Sequence, residues 1–362
     1  MEIIGNKRNR FCVVVPARNE EKVIGGVLES LFKQDYPNEL FDVYVVPNNC
    51  NDNTEAVSKE HGAKIFNCKR PVRYRGDALE QFFEYIISEN DIYDAFCMFD
   101  ADNIVNKDFI SKMNDAYNSG VQVAQGYKGS KNPGETWISG CQAIYFCAWN
   151  LLYKVGDNNS KSLCITGPGN MIATEVIKKI PFSTVTITED IEYSCKCVLN
   201  GIAIKHVPEA VFYEEHPTTI SVAWTQYRRW FSGGWACAII YGKDLRKSNI
   251  NGDSKFCINV YATTILPRIL FSFVVVVLIA LIILINILKI NPIITIISLV
   301  LLDAIVNAFS AVNFIKKSRL SISDVKKASI LWYWFYTLLI IINGAVSFIS
   351  PVHNWKQIKR SV

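Results

Sequence analysis

The chain has 362 residues, half of them hydrophobic, and a formal net charge of +5. That length exceeds one average compact domain, and so mild a charge suits an anionic membrane face or a phosphate-bearing substrate and gives no support to nucleic-acid binding. Its 11 cysteines show no CxxC spacing and only 4 histidines accompany them, which excludes a zinc-cluster protein and leaves reduced thiols of a cytosolic compartment.

The apolar residues are unevenly placed. Residues 1–215 read as an ordinary α/β mixture, whereas residues 259–350 are overwhelmingly apolar. The first apolar run, Phe11–Val15, stops at Pro16 and is too short for a signal peptide. The catalytic part is therefore expected to stay on the side where it is made.

Strand and helix alternate over the first hundred residues. Phe11–Val15 is a continuous apolar run, as a strand buried on both faces requires. Asn19, Glu20 and Glu21 then open a helix on which Ile24, Val27, Leu28 and Leu31 share a face. Phe41–Val46 is the next strand, Asp52–Thr54 opens a helix that Gly62 ends, and Ala63–Phe66 is a third strand. Leu79, Phe82, Phe83 and Ile86 mark another helix, and Ala95–Phe99 a fourth strand. This order predicts an α/β fold with a mostly parallel sheet and helices on both faces, so ligands bind beyond the carboxyl ends of its strands.

Polar clusters fall at those ends. Asp100 and Asp102 follow the fourth strand, and carboxylates there can hold Mg2+ or Mn2+ together with substrate phosphates. Lys69, Arg70, Arg73 and Arg75 follow the third strand and suit phosphates or a solvated loop. Gly167–Asn170 reads as a turn. Thr188 is an N-cap for a helix whose first turn carries Glu189 and Asp190, and an ionised Asp can take a proton from an attacking hydroxyl. No Walker or Rossmann glycine loop is present, so P-loop ATPase and dinucleotide-binding functions have no support.

Residues 218–258 read as an interfacial segment. Ile220, Trp224, Tyr227 and Phe231 fall on one helical face, suited to lipid, with basic residues around it. Gln226, Arg229 and Trp230 fall on roughly the opposite face, towards residues 1–217. Arg229 offers a diphosphate a bidentate fork, and Trp230 a flat surface for a sugar. Residues 259–362 hold three expected membrane spans, about 266–288, 293–315 and 330–350, and a basic tail. Lys316, Lys317, Arg319, Lys326 and Lys327 place the loop between the last two spans, and hence the catalytic domain, on the cytoplasmic side of a cell membrane crossed several times.

Taken together, Val-Val-Pro-Ala-Arg-Asn-Glu (14–20), Asn-Asn-Cys-Asn-Asp-Asn-Thr (48–54), Asp-Ala-Asp (100–102), Thr-Glu-Asp (188–190) and Gln-Tyr-Arg-Arg-Trp (226–230) resemble the family 2 glycosyltransferases of the GT-A fold. Within these the chain is similar to the membrane-integrated branch that includes cellulose, chitin, hyaluronan and poly-N-acetylglucosamine synthases. The resemblance implies inverting, metal-dependent transfer of a hexose from a UDP-sugar to a growing glycan or glycolipid, with a β-linkage. It implies that Pro16, Ala17 and Glu20 border the uridine, Asp100 contacts the nucleotide, Asp102 the metal, and Asp190 is the general base beside Glu189. It implies that Gln226, Arg229 and Trp230 hold the diphosphate and the acceptor, that Gly169 belongs to the loop under the acceptor, and that Arg75 replaces a family lysine near the phosphates. Asn48 stands where an Asp usually contacts the uracil. The 226–230 motif favours polysaccharide synthesis, which is the leading expectation. The lack of the N-terminal membrane helices of processive synthases favours single-sugar transfer to a lipid-linked or surface acceptor. A non-catalytic membrane scaffold or export subunit is the reading from another class.

Overall fold

The computed structural model describes residues 7–89, 92–158, 162–250 and 291–352. Strands β1 (Phe11–Ala17), β2 (Phe41–Pro47), β3 (Lys64–Ile65) and β4 (Ala95–Met98) alternate with helices α1 (Ile24–Phe32), α2 (Thr54–Glu60) and α3 (Arg75–Glu89). After β5 (Ile104–Val105) come α4 (Phe109–Asn118), β6 (Val123–Ser130), α5 (Trp137–Asn158), β7 (Asn170–Ala173), α6 (Thr174–Lys179), α7 (Glu189–Leu199) and β8 (Ile204–Glu214). The chain ends in α8 (Ile220–Ile250), α9 (Pro292–Lys316), α10 (Lys327–Leu331) and α11 (Tyr333–Ile349).

The eight strands form one sheet in the order β3-β2-β1-β4-β7-β6-β8-β5. β1 pairs in parallel with β2 and β4, and β2 with β3. Beyond β4 the sheet turns mixed. β7 runs antiparallel to β4 and β6, and β5 antiparallel to β8. The expected parallel half is therefore present, and β6 also pairs in parallel with β8, so parallel pairings outnumber antiparallel ones in a sheet that is nevertheless mixed. Strand β6 escapes a reading based on apolar runs because Gln125, Gly126 and Lys128 interrupt its apolar residues.

Successive side chains of β1 enter two cores, as a period of two demands. Cys12 and Val14 pack with Leu79, Phe82 and Phe83 of α3 and Tyr193 of α7. Phe11, Val13 and Val15 pack with Val27, Leu28 and Leu31 of α1 and Phe109 of α4. Each fully buried Val or Leu contributes roughly 1.5–3 kcal/mol, so the sheet is fixed from both faces. Residues 19–23 form a turn, closed by Ile24 N donating to Glu20 O at 2.9 Å, so the helix begins later than the acidic residues suggested.

A third core joins α5, α8 and the C-terminal helices. Ile138, Cys141 and Ile144 of α5 meet Ala223, Tyr227, Phe231 and Trp235 of α8 and Tyr333, Tyr336 and Ile340 of α11. This overturns the expected lipid-facing stripe: Tyr227 and Phe231 are buried against protein, Trp224 is half-buried, and Ile220 alone of the stripe is exposed. The amphipathic pattern is real, but another apolar helix covers it.

Of the three expected spans, 266–288 and the basic tail beyond 352 lie outside the described residues. α9 answers to 293–315, with Ile293, Ile297, Leu301, Ile305 and Phe309 exposed. Among the described residues it is the one helix long and apolar enough to cross a membrane. The segment 330–350 is divided at Trp332. Its main helix has 17 residues, short of the ~20 that a span requires, and one side of it is buried against α8. Arg319, in the basic loop, donates to Pro208 O at 3.1 Å and lies 5.3 Å from the Tyr127 ring, so this loop meets the edge of the sheet region.

Candidate active site

A cavity of about 510 Å³ opens where β1, β2 and β4 end, between the sheet and α5, α7 and α8. Pro16, Ala17, Glu20, Asn48, Arg75, Asp100, Asp102, Glu189, Asp190, Gln226, Arg229 and Trp230 all line it. Residues separated by over two hundred positions thus meet in one site. Gly169 does not line it; its neighbours Gly167 and Pro168 do. Gly169 instead supports the floor. Its φ is +71°, and a Cβ there would lie 2.0 Å from the Phe212 ring, so only glycine fits. Of the basic cluster after β3, Arg73 and Arg75 reach the cavity, whereas Lys69 is exposed and Arg70 pairs with Glu84 at 2.6 Å.

Where β1 and β2 end, two loops are tied together. Asn48 N and Nδ2 donate to Ala17 O at 2.9 and 3.1 Å. Asp52 accepts from Glu21 N, Thr54 N and Thr54 Oγ1 at 3.1, 3.1 and 2.6 Å. Burial raises the Asp52 pKa, but these hydrogen bonds outweigh it and hold the carboxyl below its ordinary value. Asn19 and Asn49 take φ of +56° and +50°, a left-handed region that asparagine tolerates. The asparagine-rich stretch 48–54 is therefore largely a device for shaping the rim.

Charge concentrates at the centre. Arg75, at the start of α3, bridges Asp100 (Nε to Oδ1, 3.1 Å) and Glu189 (Nη1 to Oε1, 2.5 Å). Burial opposes its charge, but Asp100, Glu189 and Asp190 more than compensate and raise its pKa. Glu189 and Asp190 occupy the first turn of α7, where the helix dipole favours anions. Asp190 Oδ1 accepts from Ile191 N at 2.9 Å. Burial and the neighbouring Glu189 nevertheless raise its pKa to about 6, against the pull of Arg75 and Lys128. Thr188 holds the N-cap position but makes no capping bond; its side chain packs on α8 at Gly233, where a Cβ would come within 2.2 Å of Oγ1.

Several lining residues had no sequence signal of their own. Lys128, on β6, pairs with Glu214 of β8 at 2.7 Å and donates to Thr166 O at 2.9 Å. The β6–β8 register shifts between Gly126 and Tyr127, an irregularity that sets the strand ends bearing Lys128 and Glu214 side by side. His216 is buried and stacks on Phe146 (5.3 Å, 18°), and neither ring nitrogen has a hydrogen-bond partner among the described residues. Burial, with help from Lys128, lowers its pKa to about 3, so the imidazole is neutral. Tyr145, Phe146, Trp149 and Tyr153 of α5 form an aromatic wall of the cavity. Their three- and four-residue spacing in a long apolar helix was the available signal for that wall.

Among the described residues no three His, Cys, Asp or Glu side chains form a complete cation cage. Asp102 and His216 nevertheless line the same cavity, and a buried carboxylate and a neutral imidazole whose nitrogens have no partner among the described residues are ligand types that fit a divalent ion completed by phosphate oxygens.

Comparison with known proteins agrees with the fold. The chain is similar to a mannosyltransferase, PcManGT from Pyrobaculum calidifontis, solved with GDP-Man and Mn2+: TM-score 0.59, 15% identity, covering 95% of this chain and 88% of that one. At that identity the likeness speaks for the GT-A-like α/β fold alone. Among curated proteins, the beta-monoglucosyldiacylglycerol synthase of Synechocystis sp. is 25% identical over 238 residues, covering 62% of this chain and 48% of the relative. The probable glycosyltransferase YdaM of Bacillus subtilis is 26% identical over 236 residues, covering 62% of this chain and 55% of the relative. The chain thus spans about half the length of these curated relatives. The profile described as glycosyltransferase like family 2 matches residues 8–233, which include every lining residue discussed above, and the chain belongs to that family.

Proposed function

We propose that this protein is an inverting glycosyltransferase that moves a sugar from a UDP-sugar to a hydroxyl acceptor at a membrane. The observation that carries the reading is Asp190, a carboxylate with its pKa raised to about 6 that shares one cavity with Asp100, Asp102 and Arg229. Such a group is ionised at neutral pH yet basic enough to take a proton. In this reading Pro16, Ala17, Glu20 and Asn48 border the base, and Arg75 and Asp100 the nucleotide. Asp102 and His216 would hold Mg2+ or Mn2+, which when bound neutralises charge on the diphosphate. Arg229 supplies further positive charge to the leaving group, and Trp230 stacks on a sugar. Asp190 takes the proton as the acceptor oxygen attacks the anomeric carbon and UDP departs from the opposite face. An α-linked donor then gives a β-linked product.

For the acceptor, a lipid-linked or glycolipid molecule is favoured by the aromatic wall of α5 beside a catalytic module that carries the exposed apolar helix α9. The relatives named as glucosyldiacylglycerol synthases agree with it. Polysaccharide synthesis is the second reading, favoured by Trp230 and the aromatic row as a track for sugars. Purified protein should be offered UDP-glucose, UDP-N-acetylglucosamine, UDP-glucuronate and GDP-mannose. Acceptors would be diacylglycerol vesicles or oligosaccharides, with and without Mn2+, and products sized by mass. Asp190→Asn is expected to abolish transfer while retaining UDP binding; transfer near the wild-type rate would sink the assignment of the base.

A further inference from the structure

We infer that Gln142 and Tyr336 are positioning residues of the donor site, forming a buried relay that turns the Gln226 amide so that its NH2 faces the β-phosphate of UDP. The inference rests on the reading that Gln226 belongs to the diphosphate subsite. The Tyr336 hydroxyl, on α11, donates to Gln142 Oε1 on α5. Gln142 Nε2 in turn donates to Gln226 Oε1 on α8 at 3.1 Å. Tyr227 Oη lies 3.4 Å from Tyr336 Oη. Gln142 is 0% exposed and Tyr336 2%, among the apolar side chains of Ile138, Ile144 and Ile340.

A carboxamide has one accepting and one donating end. With its carbonyl end turned to Gln142, Gln226 has both N–H donors left for the cavity it lines. Arg229, three residues on, lines the same cavity, so the two donor groups border one space, which suits an anion. In a dry interior each bond of such a chain strengthens the next, and an unsatisfied member is costly. Met would fill the place of Gln142 with no polar atom to satisfy, so packing alone does not call for glutamine there. α11 is thereby wired to the donor site and does more than cover an apolar face of α8.

The test measures binding of UDP and of UMP, in Mn2+, to full-length protein in detergent. Gln142→Met and Tyr336→Phe are compared with wild type, and melting is followed alongside. Gln142→Met is expected to bind UDP about tenfold more weakly and UMP as wild type does, because only the β-phosphate contact is lost. Tyr336→Phe should show a smaller loss of the same kind. Unchanged UDP binding in both variants overturns the inference, as does an equal loss of UDP and UMP affinity, which marks a purely structural role. If wild type binds neither nucleotide, the proposed function has failed, and the relay with it.

Discussion

Asp190 carries two opposite demands. As the proposed base it must be ionised, yet its surroundings disfavour the charge and raise its pKa to about 6. Transfer should therefore fall as pH drops through about 6, and a pH–rate profile of sugar transfer checks this. The linkage has a definite sign. A raised carboxyl pKa favours the folded state below the unfolded value near 4, and that contribution is lost as pH rises through about 6. Asp190→Asn should consequently melt higher than wild type at pH 7.5, with the difference vanishing near pH 4. Arg75 has the reverse character. Removing it leaves Asp100 and Glu189 without their shared cation, so Arg75→Met should lose about 3 kcal/mol of stability and bind UDP more weakly. Denaturant unfolding and UDP titration read the two effects separately.

At the scale of elements, the site depends on close approaches that only glycine allows. Gly169 combines a left-handed φ with contact against Phe212, beneath the loop that lines the cavity at Gly167 and Pro168. Gly169→Ala should cost roughly 2–4 kcal/mol, through strain and overpacking together. Gly233 lets α8 press on Thr188, immediately before the α7 turn that bears Asp190. Gly233→Ala should lower the transfer rate more than it weakens UDP binding, which steady-state kinetics and titration can separate. The expected acidic start of the first helix illustrates the limit of local patterns. Glu20 and Glu21 carry helix-start chemistry, but Glu20 N is held by Thr54 Oγ1 at 2.8 Å, and the helix waits until Ile24.

For the whole molecule, α9 leaves a long apolar surface uncovered. The protein should remain with membranes through a high-salt wash and be released by detergent, because apolar contact is not screened by salt. Fractionation followed by immunoblotting tests it. Much of the architecture was legible beforehand. Continuous apolar runs marked β1, β2 and β4, and strand-end logic placed Asp100 and Asp102 at the site mouth, because local periodicity follows directly from side-chain geometry. Helical spacing also set Gln226, Arg229 and Trp230 on a face that meets the cavity, although Tyr227 and Phe231 of the expected opposite face line it as well. The tertiary structure decided the rest. Strand β6 was hidden because Gln125, Gly126 and Lys128 break the apolar signature. The partners of Lys128 and the burial of His216 against Phe146 depend on strand pairing across the mixed half of the sheet. Whether the Tyr227–Phe231 stripe met lipid or protein depended on what covered it, and a helix's own sequence states its amphipathicity without naming the surface it will bury.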